Sequence, residues 1–276
     1  MRFWVSMFLA IAVTLLSCSG SSEMPETETR IQDRLKLISN SKKMVKISGG
    51  TYEAFIGKDS GRIVKVPTFY LDDSPITNAE YLQFLKANPQ WAKSKVKRLY
   101  ADSTYLQHWK SDFEIPENLS PNAPVTNVSW FAAKEYAKSV GKRLPTIDEW
   151  EFVALADRTT KNASKKPEFT DFILKSYQKK DKAKQVVAQD SANYYGVHNM
   201  YGMVWEWTFD FNSVMMSGES RKDNATNDNL FCAGAAVTSS DLRNYAAFVR
   251  YALRGSLTAY YCLNNLGFRC ANNLNK

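Results

Sequence analysis

A glutamate between two tryptophans is the feature that most constrains this chain. It lies in residues 199–207, which read NMYGMVWEW. Tryptophan usually buries most of its surface, whereas an ionised glutamate is rarely buried unless it is paired or bound to a metal. Glu206 therefore needs a partner, and two kinds are open. Either an arginine or backbone N–H groups stabilise a structural carboxylate, or Asn199, Glu206 and the carbonyls between them bind a hard cation such as calcium.

The N-terminus has the pattern of a bacterial lipoprotein signal. One positive charge precedes an apolar run from Phe3 to Leu16, which is too short for a comfortable membrane span. The run ends in LLSC, which resembles the lipobox whose cysteine becomes the lipidated first residue. We expect residues 1–17 to be the signal peptide, Cys18 the lipidation site and residues 18–43 a polar tether. The alternative is an ordinary cleaved signal with an incidental cysteine.

Composition bounds the rest of the chain. With 44% hydrophobic and 13% aromatic residues, the part after the tether can fill the core of one large domain or two small ones. The net charge is +8, but many of the lysines lie in residues 157–185, as expected for a solvated insertion. No basic motif with interleaved aromatic residues indicates nucleic acid. The chain has two histidines, His108 and His198, and their wide separation in the sequence excludes an HExxH site.

Alternating apolar residues followed by a glycine pair predict a strand that runs into a turn in residues 44–52, and residues 64–73 are a second strand candidate. A helix is expected to follow, with Thr77 or Asn78 as its N-cap and an apolar face that continues to Leu85. Residues 90–123 contain tryptophans and scattered prolines and show no clear period. Residues 157–185 are weakly patterned, with one possible short helix from Phe169 to Tyr177.

The block from residue 124 to residue 151 has the clearest local signals. Ser129 is placed to cap a helix that begins at Trp130, and Gly141 suits the position just after its C-terminus. Thr146 and Glu149 have the spacing of a capping box, which predicts a second helix. Two amphipathic helices joined by a short turn are therefore expected here.

Five blocks together resemble the formylglycine-generating enzyme family, also called the sulfatase-modifying-factor family. They occur in the family's order and read MVKISGGTY (44–52), FYLDDSPITNAEY (69–81), PVTNVSWFAAKEYAKSVGKRLPTIDEWE (124–151), NMYGMVWEW (199–207) and RYALRGS with NLGFRCA (250–271). The resemblance implies a single domain over residues 44–276. Its implied fold is a modified C-type-lectin-like α+β fold with much irregular structure.

The resemblance also implies a ligand set for calcium. We call residues 199–207 the tryptophan motif. In the family, the asparagine, glycine and glutamate of this motif contribute to a calcium site. Carried onto this sequence, the ligands are Asn199, the carbonyls of Gly202 and Val204, and Glu206. The family's other calcium site has no matching motif here.

The catalytic cysteines of the family are missing. Family enzymes oxidise a sulfatase cysteine with copper bound by two cysteines five residues apart. Counted back from the GFR block, those positions fall at Asp241 and Ala246; counted from Gly234, they fall at Ser239 and Asn244. No cysteine lies between residues 233 and 261 in either register. Copper(I) prefers soft ligands, so cysteine-dependent chemistry and a copper cofactor are not expected.

The remaining cysteines differ from the family's pattern as well. One family disulfide falls at Ala154 and Tyr251, and another would pair Cys270 with Ala137, so neither can form. Cys232 and Cys262 are then available, and we expect a bridge between them. An odd number of cysteines in the domain leaves one thiol over.

The retained scaffold and the missing thiols predict a non-catalytic accessory protein. We expect a cell-envelope lipoprotein, anchored in a membrane by its lipid outside the cytoplasm, that binds an envelope protein or peptide. The former active-site groove would be lined by Asp241, Arg243, Tyr245 and Arg250. The alternative is an oxidoreductase of the same family, either a non-heme-metal oxidase or a protein-modifying enzyme. An iron site of two histidines and one carboxylate would have to use His108 and His198.

Structural roles are the simpler interpretation for several other side chains. The tryptophans at 91, 109, 130 and 150 are expected in the core. We expect buried carboxylates or carbonyls to be the partners of Arg250, Arg254 and Arg269. For Arg250 this structural role is an alternative to a role in lining the groove.

Overall fold

The computed structural model describes residues 42–54, 63–178, 182–212 and 242–274. The signal peptide, Cys18 and most of the tether lie outside these ranges. No helix within them has the length and apolar character needed to cross a membrane. The chain folds as a mixture of short helices, small sheets and long irregular segments, which confirms the predicted α+β class.

In the part of the chain that the structure describes, seven short strands form three small sheets. In chain order they are β1 (Met44–Ile47), β2 (Gly50–Glu53), β3 (Ile63–Val66), β4 (Phe69–Asp72), β5 (Trp205–Glu206), β6 (Leu266–Gly267) and β7 (Ala271–Asn273). Strand β4 lies between β1 and β7 in an antiparallel sheet, and β2 pairs with β3. Strands β5 and β6 pair in parallel. Each strand region predicted near the N-terminus is therefore two strands separated by a break.

Five α-helices accompany the sheets in the described ranges. They are α1 (Asn78–Ala87), α2 (Trp130–Ser139), α3 (Ile147–Ala154), α4 (Pro167–Gln178) and α5 (Leu242–Ser256), with 3-10 turns at Pro89–Trp91 and Lys182–Lys184. The capping predictions are confirmed. Thr77 and Thr146 each form a capping box, and the Ser129 hydroxyl accepts the Ala132 N–H. Gly141 follows α2 with a φ of +69°, a left-handed conformation that costs glycine little.

Two clusters of buried side chains make up the core. The first joins α1 and α2 to the C-terminal strands and contains Trp109, Trp207 and Phe268; the second lies around α3 and α4 and contains Trp150. The tryptophans at 91 and 130 are only half-buried and border the first cluster, so their predicted place in the core is partly wrong.

Cys262 and Cys270 are free, buried thiols. The expected bridge between Cys232 and Cys262 is therefore wrong for Cys262, while Cys232 itself lies outside the described residues. Cys270 and Ala137 belong to the same core cluster.

Candidate functional site

An arginine neutralises the carboxylate between the two tryptophans. Arg269 Nε donates to Glu206 Oε2 and Arg269 Nη2 donates to Glu206 Oε1, each at 2.7 Å. The indole N–H of Trp150 also donates to Oε2, at 2.8 Å. Both charged side chains are almost completely buried. A bidentate guanidinium–carboxylate pair is one of the strongest arrangements for two buried opposite charges.

Local structure brings the two partners together across 63 residues of sequence. Strand β5 ends in Glu206, and its parallel register sets Glu206 opposite Gly267, two residues before Arg269. A β-carbon at Gly267 would lie 2.5 Å from the Val125 carbonyl oxygen, so only glycine permits this close approach. The glycine of the GFR block thus serves to place its arginine.

The side-chain oxygens proposed for calcium already have other partners in the structure. The side-chain oxygen of Asn199 accepts the Ala188 N–H at 2.6 Å. The Glu206 carboxylate accepts three N–H groups, and a carboxylate has about four acceptor sites. One site is left, and the Gly202 and Val204 carbonyls are of the type that calcium accepts. The donor chemistry fits calcium as a further partner, although Arg269 already balances the negative charge.

A cleft of about 700 Å³ opens beside the tryptophan motif, residues 199–207. Its floor includes Gly202, Met203, Val204 and Trp205. Most of the polar lining side chains are neutral, and Lys184 is the one formally charged residue among the described lining. The polar neutral residues are Gln107, His108, Asn118, Thr126, Asn127, Asn264 and Asn265. A volume of this size is typical of ligand sites.

Asn127 organises one wall of the cleft. Its backbone N–H donates to the Leu263 carbonyl at 2.9 Å, and its carbonyl accepts the Leu106 N–H at 2.9 Å. Its side-chain N–H group donates to the Cys262 carbonyl at 2.9 Å. The amide oxygen is therefore the acceptor for His108 Nδ1 at 3.0 Å, which assigns the proton to Nδ1.

His108 is neutral at this wall. Burial lowers the pKa of its imidazole and the nearby Lys93 lowers it further, although the hydrogen bond with Asn127 acts in the opposite direction. With its proton on Nδ1, the imidazole has Nε2 unprotonated. Apart from Lys184, the described lining therefore presents neutral donors and acceptors together with aromatic surface.

A second buried ion cluster lies close to the cleft. Glu151 accepts hydrogen bonds from Arg250 Nη2 at 2.7 Å and from Arg254 Nη1 at 2.6 Å. Burial alone would raise the pKa of Glu151, but the two guanidinium groups outweigh it and lower that pKa below its ordinary value. This cluster also touches the cleft, because the ring of Tyr177 lies 4.8 Å from that of Trp205 and its hydroxyl is 3.4 Å from Arg250.

The expectation that three arginines bind buried carboxylates or carbonyls is confirmed for Arg250, Arg254 and Arg269. As a groove candidate, Arg250 is buried and directed at Glu151. Arg243 and Tyr245 belong to α5, but their side chains are not among those that the structure describes. Asp241 lies outside the described residues altogether.

The positions of the family's cysteine pair are described only in part. Ala246 is buried in the second core cluster, and Asn244 belongs to α5. Ser239 lies outside the described residues. The histidines have separate surroundings: His108 binds Asn127, and His198 Nδ1 lies 3.1 Å from an Asp190 carboxylate oxygen. Within the described ranges, no three side chains of histidine, cysteine, aspartate or glutamate cluster as a metal site.

Sequence reasoning singled out the motif at the floor of the cleft but not most of the residues that form its walls. They come from segments near residues 107, 118, 127 and 264 that have no periodic pattern. Leu106 has a φ of +45° and Asn127 a φ of +55°, conformations that an asparagine signals weakly and a leucine not at all. The pair Asn264–Asn265, directly before the LGFR block, was the one usable signal.

Comparisons with known proteins show which family the domain resembles. A family model described as the sulfatase-modifying factor enzyme 1-like domain matches residues 32–274. The formylglycine-generating enzyme of Streptomyces coelicolor is 27% identical over 256 residues, which cover 78% of this chain and 82% of that protein. The bovine (Bos taurus) protein named inactive C-alpha-formylglycine-generating enzyme 2 is 27% identical over 274 residues, covering 83% and 87%.

A third relative matches a shorter part of the chain. The hercynine oxygenase of Mycobacterium tuberculosis is 31% identical over 163 residues, which cover 53% of this chain and 38% of that protein. Relatives with and without the word inactive in their names therefore share this domain.

Proposed function

The chain belongs to the sulfatase-modifying factor enzyme 1-like family, and from this premise we propose that it is a non-catalytic envelope lipoprotein that binds a protein or peptide segment in the cleft beside Trp205. The observation that supports this proposal is the chemistry of the residues that line the cleft. Its described lining is rich in carboxamides and aromatic rings and contains no thiol and no carboxylate.

Carboxamide side chains suit a peptide main chain because each offers both a donor and an acceptor. Asn264 and Asn265 are exposed at the cleft, and Gln107 is exposed across from them. Trp205 is half-buried and its ring is inclined by 32° to that of Tyr177; it supplies apolar surface for a side chain of the bound segment. Such a site selects an uncharged stretch of a partner.

Loss of the family's oxidation chemistry follows from the residues at its cysteine positions. One of them is Ala246 or Asn244, and the other is Asp241 or Ser239. These residues offer no thiolate pair for copper(I), so we do not propose a copper site. The name of the bovine relative shows that inactive members of this family have been recognised.

The location in the envelope rests on the N-terminal sequence. The apolar run before Cys18 has the length of a signal peptide, and a lipid on that cysteine would anchor the domain in a membrane through residues 18–43. Labelling with radioactive palmitate in cells tests this part. Incorporation that Cys18→Ser abolishes supports it, and incorporation that persists in this variant opposes it.

The binding proposal is tested by selection from a library of random displayed peptides against the full chain. Selected peptides should bind the Asn264→Ala/Asn265→Ala variant about tenfold more weakly, because two hydrogen bonds of about 0.5–1.5 kcal/mol each are lost. Asn122→Ala, at an exposed asparagine outside the cleft, is the matched control and should bind like the wild type. No enrichment, or equal weakening in both variants, overturns the proposal.

Calcium is proposed as a structural cofactor at Asn199, Gly202, Val204 and Glu206. Calcium at about 100 times its Kd contributes about 2.7 kcal/mol, and a domain of this size gains roughly 2–4 °C per kcal/mol. We therefore expect calcium to raise the Tm by about 5–10 °C after chelation. The increment should vanish in Glu206→Ala, and magnesium serves as the control ion. An unchanged Tm after chelation removes the proposal.

An oxidoreductase activity is the second candidate function, and the relatives named formylglycine-generating enzyme and hercynine oxygenase favour it. His108, which lines the cleft, can act as a base or bind a transition metal through its imidazole. Metal analysis of the purified chain decides between the two functions. Iron or copper at one ion per chain, with oxygen uptake that His108→Ala abolishes, would favour the enzyme.

A further inference from the structure

Five aromatic side chains form a continuous strip on the surface near α2. The strip consists of Trp91, Tyr100, Phe131, Trp130 and Phe209. Successive ring centroids are 5.7, 5.5, 5.5 and 6.3 Å apart. None of these residues lines the cleft described above. The aromatic strip is therefore a second surface that the proposed function does not use.

Much of the aromatic strip and its border faces solvent. Phe209 is 48% exposed and Tyr100 is 37% exposed. Leu99, the neighbour of Tyr100, is 74% exposed on a turn. Tyr260, 43% exposed, borders the same end because its carbonyl accepts the N–H of Asp102 at 3.0 Å. A group of large apolar side chains with this exposure is typical of an interaction surface.

Positive charge accompanies the strip along its length. Residues 91–100 read WAKSKVKRLY and include three lysines, one arginine and no acidic residue. Lys95, Lys97 and Arg98 are exposed. At the other end, Lys134 Nζ lies 4.7 Å from the ring centre of Trp130 and 5.5 Å from that of Phe209. The partner of this surface therefore carries negative charge next to apolar material.

The ring geometry bears on which anionic partner fits. Successive rings of the strip are inclined by 44°, 64°, 78° and 48° to each other. Rings inclined in this way do not present the row of parallel faces on which a sugar chain stacks. They present edges and one projecting aliphatic side chain, Leu99, between cations whose long apolar stems reach along a surface. That combination suits the interface of a lipid bilayer, where tryptophan, tyrosine and lysine are favoured.

We propose that the aromatic strip with Leu99 and its flanking cations rests on an anionic phospholipid surface, with Leu99 entering the interface and the cations beside the headgroups. Attraction to an anionic leaflet of about fivefold per cation adds to the apolar contact. The contact needs neither the cleft nor a lipid on Cys18. An anchored domain would use it to fix its orientation, with the cleft facing a defined direction.

Photocrosslinking from Leu99 tests the contact directly. The full chain, with p-benzoylphenylalanine in place of Leu99, is illuminated with vesicles of phosphatidylcholine or of phosphatidylcholine with about one-third phosphatidylglycerol. Mass spectrometry then identifies lipid adducts at this position. We expect adducts in the phosphatidylglycerol vesicles that decrease several-fold at about 0.5 M salt, because screening weakens the attraction of the cations.

Ile63 is the matched control position, since it is an aliphatic residue that is 65% exposed on β3. The same photoreactive residue at position 63 should give few lipid adducts, and any N-terminal lipid acts equally on both chains. Equal yields at the two positions, or no lipid adduct at position 99, overturn the proposal. Adducts from an envelope extract that contain only protein or glycan would do so as well.

Charge reversal provides the second arm of the experiment. Lys97→Glu/Arg98→Glu should lower the adduct yield at position 99 at least tenfold, because two attractive charges become repulsive. Lys46→Glu/Lys65→Glu makes the same charge change at exposed positions of β1 and β3 and should leave the yield unchanged. If the two double variants lowered the adduct yield equally, net charge alone would explain the binding, and the proposed contact would be contradicted. Failure of this experiment leaves the peptide selection for the cleft untouched.

Discussion

The Glu206 carboxylate and the Arg269 guanidinium form two hydrogen bonds of 2.7 Å at a position that solvent does not reach. Removing one partner leaves the other as a buried, unpaired charge, which costs far more than the loss of the contact itself. We therefore expect Glu206→Gln to lower the free energy of unfolding by about 3–5 kcal/mol in denaturant titrations.

The exposed pair Lys110–Glu114 is the control for this substitution. Its atoms approach to 2.6 Å, but its side chains are 68% and 49% exposed. Glu114→Gln should change the stability by less than about 1 kcal/mol, because water solvates the remaining lysine. Comparable losses for the two variants would mean that burial does not set the value of the Glu206–Arg269 pair.

Local parts of this fold were predictable from sequence because their causes are local. Thr77, Ser129 and Thr146 cap helices through hydrogen bonds to residues three positions away, so the capping residues and their spacing are visible in the chain. The choice of partner for Glu206 is different. An arginine and a metal ion both satisfy a buried carboxylate, and Arg269 reaches it only through the parallel register of β5 and β6.

The cleft was less predictable still. Its lining comes from segments that are far apart in the chain, and Asn127 joins two of them because it bonds to residues before and after it. A buried asparagine with a left-handed backbone has no sequence pattern that distinguishes it from a turn. The aromatic strip contains two tryptophans that the sequence analysis placed in the core. Residue type alone does not show how much of a tryptophan ring the neighbouring residues cover.

Asp72 should make stability depend on pH. Burial raises the pKa of Asp72 to about 6, although Lys142 lies 2.6 Å away and acts in the opposite direction. The ordinary value of 3.8 applies to the unfolded chain. Between these two values the folded state binds more protons, so the stability from this carboxyl is fully present below pH 3.8 and declines as pH rises to about 6.

The expected size of this decline is about 3 kcal/mol, since each pKa unit corresponds to about 1.4 kcal/mol. Asp72→Asn removes the titrating group and should flatten the stability curve by that amount between about pH 4 and pH 7. Urea titrations of both proteins across this range provide the measurement. Glu151, with its lowered pKa, acts in the opposite sense at more acidic pH and is present in both proteins. Parallel curves for the two proteins would show that Asp72 has an ordinary pKa when folded.

Gly202 and Gly141 allow steric contact to be separated from backbone strain. Both have a left-handed φ, of +76° and +69° respectively. A β-carbon at Gly202 would lie 2.5 Å from the Ser176 carbonyl oxygen, whereas one at Gly141 would meet nothing within 4 Å. Gly141→Ala should therefore cost about 1–2 kcal/mol from strain alone.

Gly202→Ala should cost at least about 2 kcal/mol more, because α4 must move away from the tryptophan motif. Thermal unfolding of the two variants, followed by circular dichroism, compares them directly. The cleft should be disturbed in Gly202→Ala only, which the near-ultraviolet signal of Trp205 and its neighbours would report. Equal destabilisation would mean that the contact with Ser176 relaxes at no cost.

Cys262 and Cys270 should resist alkylation in the folded protein. Burial raises the pKa of both thiols, with added repulsion from Asp102 for Cys262 and from Asp72 for Cys270. The thiolate is the reactive form, and reagent reaches these sulfurs only when the structure opens. We expect iodoacetamide to modify both at least about a thousandfold more slowly than an exposed thiol introduced by Ser103→Cys. Rapid modification, or a disulfide at Cys262 in mass spectra of the non-reduced protein, would contradict the arrangement of free buried thiols in this core.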